Sequence, residues 1–454
     1  MRLSGEEMRL ATGGFWRGGT PEWITGIGTD TRSFRDGDAF LALRGPRFDG
    51  HRCALDVAAK ASALIGDCAG AEHWRNIALP QLCVSDSLRA LGDLAHAWRN
   101  KLVPGGVLAV SGSYGKTSVR TMLHQVFRAL GRRVHATKGN LNNLIGVPLS
   151  LLDAPRDSEL VIIECGISEQ GEMARLAQIV APDVVVLTGI AYAHGAGLGG
   201  LAAITREKAR LLQALSGYGW CALGMGVRQR LLDAGVSLPR HAIVSETSDA
   251  VGWRLTANRL RLSWRAQMAE LELPLPARHV AANMALVATV VLHWHLRQQI
   301  SPPRLSQIAA ALAAWQPPQG RMRVLEACGW SIIDDSYNAN PASMQAALDT
   351  LAALSGYRVA ILGDMAELGG EAHAWHAHLN LHDIDELILV GSHMRVLSTR
   401  HRNAHWFADV TAAAAFLADH RFPPESHILL KASRGVGLER LLPALTRQGV
   451  AGAV

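Results

Sequence analysis

No two of the six cysteines in this 454-residue chain form a C-x-x-C pair. They stand far apart, at Cys53, Cys68, Cys83, Cys165, Cys221 and Cys328. That spacing argues against a zinc ribbon or a disulfide framework and predicts buried, reduced thiols. The opening stretch MRLSGEEMRLATGG lacks the apolar core of a signal peptide and carries two acidic residues instead, so a cytoplasmic location is expected. Long uninterrupted apolar runs are missing as well. The most apolar stretch, Val280 to Leu296, contains Asn283, His293 and His295, which predicts a buried helix and no membrane insertion. Lys/Arg runs of five or more are absent, and no basic patch is interleaved with aromatics. The excess of 45 Lys and Arg over 39 Asp and Glu is only +6, which points to anionic small molecules rather than nucleic acid as partners.

What is present is a large apolar fraction, 49%, enough to fill several cores. At about 150 residues per domain the length predicts three domains. Texture divides the chain at residues 1–88, 89–316 and 317–454. The first part mixes short apolar runs with turns such as RDGD and RGPRFDG, as in a small α/β module. The second alternates β-rich runs (Val107 to Ser111, Leu160 to Glu164, Asp183 to Thr188) with helical patterns. Val119, Met122, Leu123, Val126, Phe127 and Leu130 make one face of a helix over Thr117 to Leu130, closed by Gly131. After the breaker WQPPQG come candidate strands Ser331 to Asp335, Arg358 to Gly363, Glu386 to Gly391 and His427 to Lys431. Such alternation predicts an α/β fold of parallel sheets covered by helices.

The clearest chemical signal is VLAVSGSYGKTSVRTML, residues 107–123. A strand runs into a turn bearing Gly112, Ser113 and Gly115, and a helix follows near Thr117 and Ser118. The glycines let backbone N–H groups converge on phosphate oxygens, Lys116 neutralises their charge, and the Thr117 hydroxyl suits Mg²⁺. Val110 stands where the common phosphate loop has its first glycine, leaving G-x-x-G-K-T. An ordinary glycine turn capping a helix is the bland alternative; the flanking strand and helix favour ATP.

SGSYGKTS resembles the phosphate loop of the Mur ligases, ATP-dependent enzymes that join a carboxylate to an amine in cell-wall synthesis. The resemblance continues in order through GTDTRSF, LRGPRFDGH, KGNLNNLIGVPLSLL, VIIECGISEQGEM, AHGAGLGGL, PARHVAANMA, QGRM, DDSYNANPASM, LGDMAELG and LLKASRG. It is strongest to the branch that adds D-alanyl-D-alanine to a UDP-linked muramoyl tripeptide, so these two small molecules are the expected substrates. The resemblance implies a small UDP-sugar-binding domain, a central ATPase-like domain and a Rossmann-like domain closing over ATP. It further implies an acyl phosphate on the substrate carboxylate, ATP and Mg²⁺ as cofactors, and a monomer.

Residue roles follow from the same resemblance. Glu164, His194 and Lys208 would help Thr117 to hold Mg²⁺, with Lys208 carried as a carbamate. Asn283 would meet the adenine side of ATP, Arg321 the γ-phosphate and Asp335 the ribose region. Thr29, Asp30, Thr31 and Arg32 match a stretch near the uridine nucleotide, and Asn140, Asn142 and Asn143 one near the peptide stem. Lys431, Ser433 and Arg434 would receive the carboxylate of the amine substrate. Read singly, each is as well explained by a strand end, a cap or a solvated helix face.

Some positions depart from the family pattern: Gly189 follows Thr188 where asparagine is usual, and Arg210 replaces a glutamate. Val280 follows His279, and LGMG stands in place of an N-x-D turn near residue 223. These changes are expected to line the nucleotide and metal surroundings. They admit a second reading, a paralogous ligase acting on another amine in specialised metabolism. A third, a nucleotide-binding partner protein without catalysis, conflicts with the intact Lys116, Glu164 and Lys208.

Overall fold

Six parallel strands form the central sheet of the computed structural model, which describes residues 1–103, 106–193, 195–381 and 383–447. Their order in space is Ala242–Val244, Trp220–Leu223, Val184–Leu187, Val107–Ser111, Leu160–Glu164, Val134–Ala136. Every neighbouring pair is parallel. The inner strands are uninterrupted apolar runs because helices cover both faces. The chain leaves Val107–Ser111 toward one edge and later crosses to the other. The order therefore reverses at the carboxyl end of that strand, the place where open α/β sheets bind ligands.

One face of this sheet packs on the helix Lys116–Ala129, through Val119, Met122, Leu123, Val126 and Phe127, and on the helix Arg278–Arg297. The latter is long and apolar enough to cross a membrane, yet 72% of its apolar window lies inside the protein, as the interruptions by Asn283 and His295 led us to expect. The other face packs on Glu172–Val180 and Ser87–Arg99, through Met173, Leu94 and Trp98. Arg99 fastens this second helix: it donates to the carbonyls of Val180 and Ala181 and pairs with Asp183 at 2.9 Å. A seam drawn between residues 88 and 89 falls in the first turn of that helix.

The carboxyl-terminal sheet has the order Arg323–Ala327, Trp330–Asp334, His427–Lys431, Arg358–Gly363, Glu386–Val390, Ala404–Phe407. Four of the five pairs are parallel, and the first is an antiparallel hairpin. The amino-terminal sheet, Phe15–Arg17, Gln81–Val84, Ala63–Asp67, Ala39–Leu41, Ile27–Gly28, also has one antiparallel edge. The three sheets give three α/β units in chain order.

Beside the expected parallel sheets, Gly252–Thr256, Arg259–Trp264 and Gln267–Glu272 form an antiparallel meander. Its middle strand buries Leu260, Leu262 and Trp264 and exposes the residues between, the alternation of a half-covered sheet. All six thiols are free, but only Cys83, Cys165 and Cys221 are buried; Cys53 and Cys328 are half-buried and Cys68 is exposed.

Candidate active site

The loop after Val107–Ser111 is shaped by its neighbours. Val110 is fully buried in the strand, so the tight turn begins only at Gly112. A Cβ on Gly112 would lie 2.2 Å from the Thr188 hydroxyl, and Gly115, at φ +79°, starts the helix. Ser113 donates its N–H to the carbonyl of Gly189 at 2.6 Å and its hydroxyl to that of Ala191 at 2.8 Å. The Thr188 hydroxyl donates to the carbonyl of Tyr114. Among the described residues the N–H groups of Tyr114 and Gly115 meet no protein acceptor, and Lys116 and Thr117 open the helix with theirs. This is an anion cradle at a helix N-terminus. Lys116 folds back to donate to the carbonyl of Gly112 at 2.9 Å. Desolvation holds its ammonium below the ordinary lysine range; Glu164 opposes that shift and Arg321 adds to it.

Glu164 ends the adjacent strand, fully buried, with its carboxylate answered from three sides. Thr117 donates to one oxygen at 3.1 Å and Asn142 to the same oxygen at 2.8 Å, while Arg120 donates to the other at 3.0 Å. Arg120, also buried, reaches the carbonyls of Thr137 and Gly139 as well. The Thr117 and Glu164 oxygens are 3.1 Å apart, close to the separation of about 2.9 Å between adjacent oxygen ligands of octahedral Mg²⁺. Two hard oxygens at that spacing on a polar cleft fit the ion.

Opposite stands the carboxyl-terminal sheet. Between the walls lies a cleft of about 410 Å³, the size of a small-ligand site. Arg321 lines it, its guanidinium 4.2 Å from the centre of the Tyr337 ring. Lys431 is buried and pairs with Asp335 at 2.5 Å, while the other Asp335 oxygen accepts the N–H of Met322. Asn340 caps the helix Pro341–Ala352 and donates its side-chain amide to the carbonyl of Ser113 at 3.2 Å, tying this wall to the phosphate loop.

Lys208, on the helix Leu201–Gln213, is fully buried. Burial holds its amine well below the ordinary lysine range, and Lys116 adds to the shift, against Glu207 and Cys165. Among the described residues no group of three or more His, Cys, Asp and Glu is arranged to hold a metal. His194 lies outside the described residues.

Three stretches match Mur ligase families: the catalytic domain at residues 23–99, the middle domain at 110–291 and the glutamate ligase domain at 320–434. The UDP-N-acetylmuramoyl-tripeptide–D-alanyl-D-alanine ligase of Escherichia coli is 33% identical over 94% of both chains. The chain belongs to the Mur ligase family. A crystal structure of MurF from Acinetobacter baumannii, 28% identical, superposes over 98% of this chain and 99% of its own with a TM-score of 0.84. MurF from Thermotoga maritima in complex with ADP shares the fold at a TM-score of 0.80 and 24% identity, over 93% of this chain and 97% of its own.

Of the residues singled out in this Mur ligase's sequence, the cleft gathers Ser113, Gly115, Lys116, Thr117 and Ser118, together with Asn140, Asn142, Asn143 and Glu164. Asn283, Arg321, Asp335 and Lys431 line it too. Asn283 stands against the phosphate loop, where a Cβ on Gly115 would be 3.1 Å from its amide. Asn143 spends its side-chain oxygen on the N–H groups of Ile145 and Gly146 at the start of the helix Gly146–Leu152.

Other residues lie elsewhere. Thr29 to Arg32 are not part of the cleft wall. Asp30 caps the turn Thr31–Ser33 and grips Arg32 with both oxygens, and that hydrogen-bonded pairing holds its carboxyl down to about 2. Ser433 is buried behind the cleft, accepting the N–H of Ala366 and donating to the carbonyl of Ala339. Arg434 is exposed at the cleft's margin, paired with Glu439 and with its guanidinium 5.5 Å from the centre of the Tyr337 ring. Arg210 also falls outside the nucleotide surroundings expected for it: it pairs with Glu207 at 2.9 Å beside a separate hollow. Glu207 in turn accepts the N–H groups of Gly171 and Met173.

Sequence reasoning missed Arg120, Tyr337 and Asn340. The last two lie within DDSYNANP, whose density of polar residues after a strand was the available signal.

Proposed function

We propose that this Mur ligase joins D-alanyl-D-alanine to UDP-N-acetylmuramoyl-tripeptide in peptidoglycan precursor synthesis, using ATP and Mg²⁺. The observation that carries the reading is the two-walled cleft: a phosphate loop and Glu164 face Arg321, Asp335 and Lys431 across about 410 Å³. The 33% identity to the E. coli ligase over 94% of the chain supplies the substrates.

In this reading a carboxylate oxygen of the tripeptide attacks the γ-phosphorus and ADP leaves. The amine nitrogen then attacks the acyl carbon, phosphate leaves with that oxygen, and the amine loses a proton. Lys116 and the N–H groups of the loop hold the phosphates from one wall, and Arg321 reaches them from the other. Their fixed charges act where negative charge builds up, and closing the walls excludes water. Thr117 and Glu164 would hold Mg²⁺, which neutralises phosphate charge when bound. Lys431, already paired with Asp335, would receive the amine substrate's carboxylate only by exchanging that partner.

Lys208 fits the carbamate role because its burial favours the uncharged amine, the form that attacks carbon dioxide. The N–C bond forms, one proton leaves to solvent, and an anionic oxygen group results. Lys208→Ala is expected to weaken Mg²⁺ about 10- to 100-fold, with partial recovery on adding a short carboxylate. Metal titration of the activity reads both, and unchanged Mg²⁺ dependence contradicts the role.

The amino-terminal part would take the UDP-sugar, the central part ATP, and the carboxyl-terminal part closure and the amine, in a monomer acting in the cytoplasm. The test is a panel of amines offered with ATP, Mg²⁺ and the tripeptide nucleotide, with products followed by mass. D-Alanyl-D-alanine is expected to be the best acceptor; a different preferred amine would replace this reading with the paralogue.

A further inference from the structure

We infer that Tyr114 is a positioning residue whose ring, seated on the bare backbone of Gly189, sets the phosphate loop for nucleotide binding. The strand end at residues 188–191 is the template on which the loop lies. The Thr188 hydroxyl holds the carbonyl of Tyr114, and the carbonyls of Gly189 and Ala191 take the N–H and hydroxyl of Ser113. All of these contacts use backbone or small groups. The ring of Tyr114 is the exception: a Cβ on Gly189 would lie 2.4 Å from its Cζ and 2.5 Å from its Cε2.

Gly189 is absent from the positive-φ positions, so its backbone does not itself require glycine, and the three atoms nearest to a side chain there all belong to the Tyr114 phenol. A methyl at 189 must push the ring out, and the ring is rooted between Ser113 and Gly115. The displacement falls on the segment whose free N–H groups face the cleft. The Ser113 carbonyl also receives Asn340 from the opposite wall, so a shifted loop would disturb closure too.

The inference rests on the reading that this loop holds ATP phosphates, and ADP binding measured by calorimetry keeps the two apart. Gly189→Ala is expected to weaken ADP at least about tenfold and to raise KM for ATP alike, leaving KM for the tripeptide nucleotide within about twofold. In a Tyr114→Ser background the same glycine change is expected to cost nothing further, because the ring it strikes is gone. In Tyr114→Phe, which keeps the ring, the full cost should return. Melting temperatures identify folded variants; where Gly189→Ala does not fold, ADP binding by Tyr114→Ser and Tyr114→Phe decides, the first expected to be weakened and the second unchanged. Equal costs of the glycine change with and without the ring, or ADP affinity unchanged by it, would overturn the inference. Wild-type protein that binds no ADP would overturn the nucleotide reading itself.

Discussion

Lys116→Ala is expected to lower kcat about 10²- to 10³-fold while leaving the melting temperature of the ligand-free protein unchanged or slightly higher. The size follows from removing one fixed donor aimed at developing negative charge in an enclosed site, which costs that order of rate. The lack of a stability cost follows from the surroundings. Among the described residues Lys116 has no carboxylate salt-bridge partner; it donates to the carbonyl of Gly112 and is held below its ordinary range by desolvation and by Arg321. Removing it leaves no buried anion behind. Initial rates and a thermal melt on one preparation read both halves; wild-type turnover in the variant contradicts the assignment of the loop.

Glu164→Ala should behave in the opposite way, losing activity and stability together. Among the described residues its carboxylate is the one anion paired with Arg120, whose side chain is 8% exposed. Breaking a buried ion pair from one side costs about 3–5 kcal/mol, because the remaining charge stays in a poorly solvating place. The two carbonyls that Arg120 also reaches put the expected loss near the lower end, about 3 kcal/mol. Thr117 and Asn142 lose their acceptor in the same change, and with a proposed Mg²⁺ ligand gone any residual turnover should need more Mg²⁺. Pairing it with Arg120→Met should recover much of the stability and none of the activity, since an apolar pair of similar volume is often as stable as the ions. Denaturant melts of the single and double variants check this, and a Glu164→Ala protein as stable as wild type would contradict the buried-pair account.

How much of this was legible beforehand depended on how far each residue's role is local. Val107–Ser111, Leu160–Glu164, Arg358–Gly363 and His427–Lys431 were readable to the residue because strands covered on both faces are continuous apolar runs. The meander was readable in RLRLSW and was missed, since two-residue alternation is easily lost between longer runs. Lys116 and Thr117 were legible because a glycine turn between a strand end and a helix is the pattern of a phosphate loop, whereas Glu164 was singled out only by the family resemblance. Arg120 was not: four residues after Lys116 it reads as a solvated helix cation, and only the fold sets it over Glu164. Ser433 differs in the other direction. Beside Lys431 it resembles a ligand, but the N–H of Ala366, distant in sequence, claims its hydroxyl. Arg210 likewise looked like a charge reversal at the metal, whereas the helix turns it toward Glu207.

The direct test of carboxyl activation in the cleft is oxygen transfer. Tripeptide nucleotide labelled with ¹⁸O in both oxygens of the reacting carboxylate, turned over with ATP, Mg²⁺ and D-alanyl-D-alanine, should deliver one label to the released phosphate. The other should stay in the new amide. Unlabelled phosphate alongside peptide product would contradict phosphorylation of the carboxylate, and with it the roles given to Lys116, Arg321 and the loop between them.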